Sequence, residues 1–164
     1  MVILLNQNLN KLNNMKSLNQ YITEKLKVSK KQYNYYPKTK EELNDLIRKR
    51  IKEEGNNVNL NDIDVSNITD MSGLFSITTF NGDISGWDVS NVTDMWKMFY
   101  ICEKFEGKGL ENWDVSNVTN MYEMFKDCEK LDCNLSKWDI SNVKYYANIF
   151  FNCPIKDEYK PKFR

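Results

Sequence analysis

Residues 87–95 read Trp-Asp-Val-Ser-Asn-Val-Thr-Asp-Met, and residues 113–121 read Trp-Asp-Val-Ser-Asn-Val-Thr-Asn-Met. Looser copies begin at Ile63 and Trp138, so the copies start at positions 63, 87, 113 and 138. Self-similarity at a near-constant spacing of this size marks a repeat architecture, in which each unit buries its apolar face only against its neighbours. Outward from the nonapeptide each copy continues alike. Met71, Met95, Met121 and Tyr146 are followed by Leu74, Met98, Met124 and Ile149, then by Phe75, Phe99, Phe125 and Phe150. Thr78, Cys102, Cys128 and Cys153 complete the series.

Apolar or small side chains at i, i+3, i+4 and i+7 describe one face of a two-turn helix. The Thr of Asn-Val-Thr-Asp then stands as N-cap, with Asp70 or Asp94 in the first turn. A brief strand is expected near Ile84, Leu110 and Leu135. The expected fold is an α/β repeat solenoid of about four coils, each a short strand plus a short helix, behind an α-helical N-terminal region.

In that opening region Leu5, Leu9, Leu12, Met15, Leu18, Ile22 and Leu26 are spaced by three or four, which predicts an amphipathic helix. Tyr36-Pro37 breaks it. Thr39 and Glu42 form a capping box. They start a second helix that runs to Glu54, with Leu43, Leu46, Ile47 and Ile51 inward and Gly55 as the stop. The expected organisation is an N-terminal helix and linker over 1–36, a capping helix and lead-in over 37–62, four coils over 63–155 and a polar C-terminal tail over 156–164.

The string Trp-Asp-Val-Ser-Asn-Val-Thr-Asp-Met-x-x-Met-Phe resembles the repeat of the BspA-like leucine-rich-repeat family. The resemblance covers about residues 60–155. It implies a curved leucine-rich-repeat-like solenoid with a strand and a short helix per coil. Described members of that family include bacterial surface proteins that bind host proteins or other bacteria.

The chain has no histidine. That removes the usual base at neutral pH, the commonest metal ligand and any Ser-His or Cys-His pair, so a non-enzyme is expected. Cys102, Cys128 and Cys153 share one repeat position, and Cys133 falls where Gly82 and Gly107 stand. This placement suits a file of small reduced core thiols; the paired close spacing of zinc ligands is lacking. No metal and no cofactor are expected. Asp64, Asp88, Asp114 and Asp139 recur with Ser and Asn beside them. Turn chemistry explains them, with a calcium stripe or phosphate mimic as the alternative.

What every coil shares builds the scaffold, so a specific site is sought where coils differ. Trp96 and Tyr122 follow the core Met where other coils have Ser72 and Ala147, and Tyr100 lies one turn after Trp96. Such residues are enriched among interface hot spots, and these three are the candidate partner-binding residues. A second candidate is a basic patch of Lys38, Lys40, Arg48, Lys49, Arg50 and Lys52, near Tyr33, Tyr35 and Tyr36, suited to single-stranded nucleic acid.

Residues 1–55 carry 12 Lys/Arg against 6 Asp/Glu, net +6, and residues 56–164 carry 11 against 17, net −6. No run reaches the length of a membrane span, and Met1 to Leu5 lacks a signal peptide's basic start, so a cytoplasmic bacterial protein is expected, with neither a membrane nor a small-molecule substrate. The expected function is protein–protein interaction through the solenoid surface, with a partner of basic surface. Three alternatives stay open. They are a phage or mobile-element inhibitor of a CRISPR-type defence nuclease, nucleic-acid binding through the N-terminal region, and a surface adhesin missing its leader.

Overall fold

Helix α1, Lys40–Glu54, begins where the capping signals place it. Thr39 Oγ1 accepts the Glu42 N–H at 3.2 Å, and Glu42 in return accepts the N–H of Lys38 at 2.7 Å, one position before the N-cap. At the other end the Gly55 N–H donates to the Ile51 carbonyl at 2.9 Å, with Gly55 at φ 89°. Leu43 and Ile47 are fully buried; Leu46 and Ile51 pack against the same core. The computed structural model describes residues 32–163, and Tyr33–Arg164 form one compact unit. The amphipathic helix expected between Leu5 and Leu26 lies outside the described residues.

The repeats are coils, but not of the kind expected. Among the described residues α1 is the one α-helix, and no extended strand forms. Strand-like pairing is confined to isolated parallel bridges, including the series Asp70, Asp94, Asn120 and Tyr145. The reading as an α/β solenoid of strand plus helix is therefore corrected. The reason lies in where the main-chain N–H groups go. Those of Met71, Gly73, Phe75 and Ile77 donate to the carbonyls of Asp94, Trp96, Met98 and Tyr100 in the next coil, at 2.7–2.9 Å. The same pattern links Met95, Lys97, Phe99 and Ile101 to Asn120, Tyr122, Met124 and Lys126. It recurs from Met121, Glu123, Phe125 and Asp127 to Tyr145, Ala147, Ile149 and Phe151. Intervening N–H groups, such as those of Met98, Tyr100 and Cys102, close turns onto the carbonyl three positions back.

This alternation needs a left-handed residue every fourth position. Gly73 and Ile77 (φ 68° and 57°), Lys97 and Ile101 (52° and 54°), Glu123 and Asp127 (54° and 59°), and Asn148 and Asn152 (57° and 53°) supply it. A right-handed helix cannot contain them. Each non-glycine residue costs about 1–2 kcal/mol in this region, and the bonds to the next coil offset it. The positions i, i+3, i+4 and i+7 still point inward, so Met95, Met98, Phe99 and Cys102 are fully buried, but on a chain of turns. The Thr expected as N-cap has another role, bonding to the preceding coil. Thr93 Oγ1 donates to the Thr69 carbonyl and Thr119 Oγ1 to that of Thr93, at 3.2 and 3.1 Å. Ile84, Leu110 and Leu135 are buried but lie in none of the expected strands; Leu110 opens a 3-10 turn, Leu110–Asn112.

The stack is held by files of like residues. Phe75, Phe99, Phe125 and Phe150 lie nearly parallel with successive centroids 5.4, 5.4 and 5.7 Å apart. Phe80 and Phe105 stack at 4.2 Å on Phe75 and Phe99. Each repeat tryptophan buries its ring and donates its indole N–H one coil back, Trp87 to Leu60 O at 2.9 Å, Trp113 to Ile84 O at 3.3 Å and Trp138 to Leu110 O at 2.8 Å. Asn91, Asn117 and Asn142 donate to the carbonyls of Ser66, Ser90 and Ser116 at 2.7–2.8 Å. Gly109 stands at φ 87°, and a Cβ there would lie 2.9 Å from the Ser85 Cα, so only glycine fits.

The two ends of the stack differ. At the first coil Lys40 of α1 binds the Asp70 carboxylate at 3.2 Å and the Ser72 hydroxyl. At the fourth coil the tail returns: Leu135 N–H donates to Tyr159 O at 2.8 Å, Lys160 lies 6.0 Å over the Phe150 ring, and Phe163 stacks on Tyr146 at 4.6 Å.

Candidate interaction face

Side chains leaving the turn segments form the outer side of the coils. Trp96 and Tyr122 occupy the same position in neighbouring coils, and a polar ladder sets the backbone beneath them. The Trp96 N–H donates to Asp94 Oδ1 at 2.8 Å and the Tyr122 N–H to Asn120 Oδ1 at 3.1 Å. Asn120 Nδ2 in turn donates to both Asp94 carboxylate oxygens, at 3.2 and 3.1 Å. With the main chain so held, Trp96 stands 43% exposed, whereas Trp87, Trp113 and Trp138 are buried. Trp96, Asn120, Tyr122 and Tyr145 line a shallow concavity of about 290 Å³.

The structure thus brings together Trp96 and Tyr122 of the three aromatic candidates. Tyr100 does not line the concavity. It is joined to it through Lys97, whose ammonium lies 4.9 Å over the Trp96 ring and 4.7 Å over that of Tyr100. Lys97 and Lys126 both pair with Glu123 at 3.2 Å, and Lys126 also lies 5.6 Å from the rings of Tyr100 and Phe151. Burial alone would raise the Glu123 pKa, but the hydrogen bonds and charges of Lys126 and Lys97 outweigh it and hold the carboxyl below its ordinary range. Tyr145, 63% exposed, was missed in the sequence. Its signal was legible: it replaces the Asp or Asn that the other coils carry at that position. Phe151 and Ile77 extend the exposed apolar side at 53% and 72%.

The basic candidates do not gather. Lys40 is engaged at the first coil. Arg50 is buried, donating to Glu54, to Asp62 at 3.1 Å and to Asn59 O at 3.1 Å, with its guanidinium 5.3 Å over Tyr35. Arg48 Nε donates to Asn44 at 3.2 Å, and Lys38, Lys49 and Lys52 are exposed. Two of the six cations therefore serve the fold. Tyr36 bonds the Tyr33 carbonyl at 3.0 Å and sits edge-on to its ring.

The repeated carboxylates close turns. Asp64, Asp88 and Asp114 each accept the N–H and the hydroxyl of the Ser two positions on, at 2.6–3.1 Å, and Asp139 accepts the N–H of Ser141 at 3.0 Å. Cys102, Cys128 and Cys133 are buried free thiols and Cys153 is partly buried. Burial pushes Cys102 up to about 11 and Cys133 up to about 12, and raises Cys128 and Cys153 as well. Protonated and enclosed, these sulfurs are poor nucleophiles and poor ligands. Among the described residues no three His, Cys, Asp or Glu side chains converge as metal donors, and no helix is long and apolar enough to cross a membrane.

Comparison with curated proteins and with solved structures finds no match. A family described as "Mycoplasma protein of unknown function, DUF285" matches residues 42–160, the span that holds most of α1 and all four coils. The match covers well over half of the chain, and the protein therefore belongs to the DUF285 family.

Proposed function

We propose that this protein is a non-catalytic protein-binding module that acts inside the cell through the face bearing Trp96, Tyr122 and Tyr145. The observation that carries the reading is the concavity these rings share with Asn120, on a backbone fixed by the Asp94–Asn120 ladder. Rigid, half-exposed aromatics lose little entropy when a partner covers them. The chain's lack of histidine and its enclosed thiols support a role without chemistry. Unpaired cysteines agree with a reducing compartment.

The partner is a protein with a basic surface. Residues 56–164 carry net −6, and Asp88, Asp114 and Asp139 stand exposed on successive coils. Complementary charge would speed encounter more than it sets affinity. At the finer level of kinship, the repeat string supports an affiliation with BspA-like leucine-rich repeats, whose described members include bacterial surface proteins that bind host proteins or other bacteria.

The test is capture of host proteins by the full chain and by the Trp96→Ala, Tyr122→Ala double variant. The variant should melt within a few degrees of the parent, because neither ring is core, and should hold its partner at least tenfold more weakly. Undiminished capture by the folded variant overturns the reading. A matched Arg48→Glu, Lys49→Glu variant should capture as the parent does.

A further inference from the structure

Along the turn segments 71–77, 95–101 and 121–127, every main-chain bond between coils runs one way, from an N–H of one coil to a carbonyl of the next. Four such bonds join each neighbouring pair, and the direction never reverses within these segments. The turn side of the stack therefore has a donor end and an acceptor end. In the fourth coil the carbonyls of Tyr145, Ala147, Ile149 and Phe151 are taken by the third coil. The N–H groups of Asn148, Phe150 and Asn152 stand in the register that Glu123, Phe125 and Asp127 use one coil earlier, and no acceptor lies on them among the described residues. Ala147, Asn148, Phe151 and Asn152 are exposed, while the tail reaches only the neighbouring rings of Tyr146 and Phe150.

We infer that this edge is a docking site for a polypeptide segment that takes up the same chain of turns, which joins the stack as a further rung by offering alternate main-chain carbonyls to Asn148, Phe150 and Asn152. Continuity with the coil–coil interface argues for this occupant, since the edge repeats in spacing and direction what each earlier coil uses to hold its neighbour. The same polarity argues against a second copy. Two fourth coils meeting face to face would oppose donor to donor. Head-to-tail stacking would require the first coil, where α1 is pinned by Lys40 to Asp70 and Ser72. The exposed rings of Tyr145 and Phe151 flank the edge and offer apolar contact to the segment's side chains.

The experiment is residue-resolved hydrogen exchange on the full chain, with and without a synthetic peptide of residues 119–127. That peptide carries the carbonyls of Asn120, Tyr122, Met124 and Lys126 that the second coil already recognises. In the free chain the amides of Asn148, Phe150 and Asn152 should exchange at least 100-fold faster than those of Glu123, Phe125 and Asp127. With peptide they should slow at least tenfold, and a scrambled peptide should leave them unchanged. Protection already present in the free chain means that another part of the protein fills the edge, and overturns the inference. Unchanged exchange with saturating peptide overturns it equally, as does a concentration-dependent protection without peptide, the mark of self-association. Repeating the titration on the Trp96→Ala, Tyr122→Ala variant separates this edge from the aromatic face: protection at the edge should persist there.

Discussion

Within one coil, residues 87–91 and residues 94–101 both bond to neighbouring coils, but with different atoms. In the first segment the bonds are made by side chains. Trp87 donates through its indole and Asn91 through its amide, and Asp88 and Ser90 close the turn between them. In the second segment the main chain makes the repeated bonds, from Met95, Lys97, Phe99 and Ile101 to the coil that follows, and the side chains of Asp94 and Lys97 only add to them through Asn120 and Glu123. The difference explains the sequence. Where side chains hold the stack, each coil must repeat them. Where the backbone holds it, outward side chains are released, so position 72/96/122/147 holds Ser, Trp, Tyr and Ala in turn. The variability of this face is a consequence of which atoms carry the ladder.

The comparison breaks first at the core both segments share. Phe99 touches Phe75, Phe105, Phe125 and Trp113. Phe99→Ala should cost about 3–5 kcal/mol in urea unfolding. A smaller loss tests the buried thiols through pH. Cys102 and Cys133 have their pKa raised to about 11 and about 12, so the unfolded chain loses these protons first as pH rises. Their contribution is whole below about pH 9 and is lost as pH climbs through 11 to 12, on the order of 3 kcal/mol for Cys102 alone. A Cys102→Ala variant should show a shallower alkaline decline in a pH series of denaturation curves.

Trp113→Phe sharpens the side-chain half of the comparison. It keeps a ring but removes one of the two hydrogen bonds that the Ile84 carbonyl accepts, the Trp87 N–H remaining on it at 3.1 Å, which should cost about 0.5–1.5 kcal/mol. The equivalent change at Trp96, whose ring is exposed, should stay within about 0.5 kcal/mol of the parent. The smallest effect is a gain. Ile77 is β-branched, 72% exposed and at φ 57°, a conformation that glycine adopts without strain. Ile77→Gly should raise stability by about 0.5–1 kcal/mol, read as a higher melting temperature. A loss there would mean that the side chain contributes more than its backbone strain costs.

The repeat period, the inward Met, Phe and Cys positions, and the limits of α1 from Thr39 to Gly55 were all legible in the sequence. So were Trp96 and Tyr122 as departures from the repeat, because burial, capping and repetition are local or periodic properties. The backbone of the coils was not legible. Side chains at i, i+3, i+4 and i+7 point inward both on a helix and on this chain of turns. What selects the turns is the acceptor each N–H finds a whole coil away, from Met71 to Asp94 for example, a choice no local spacing records. The same long-range pairing decided that Lys40 and Arg50 would serve the fold, and that Tyr145 would join Trp96 and Tyr122 on one face.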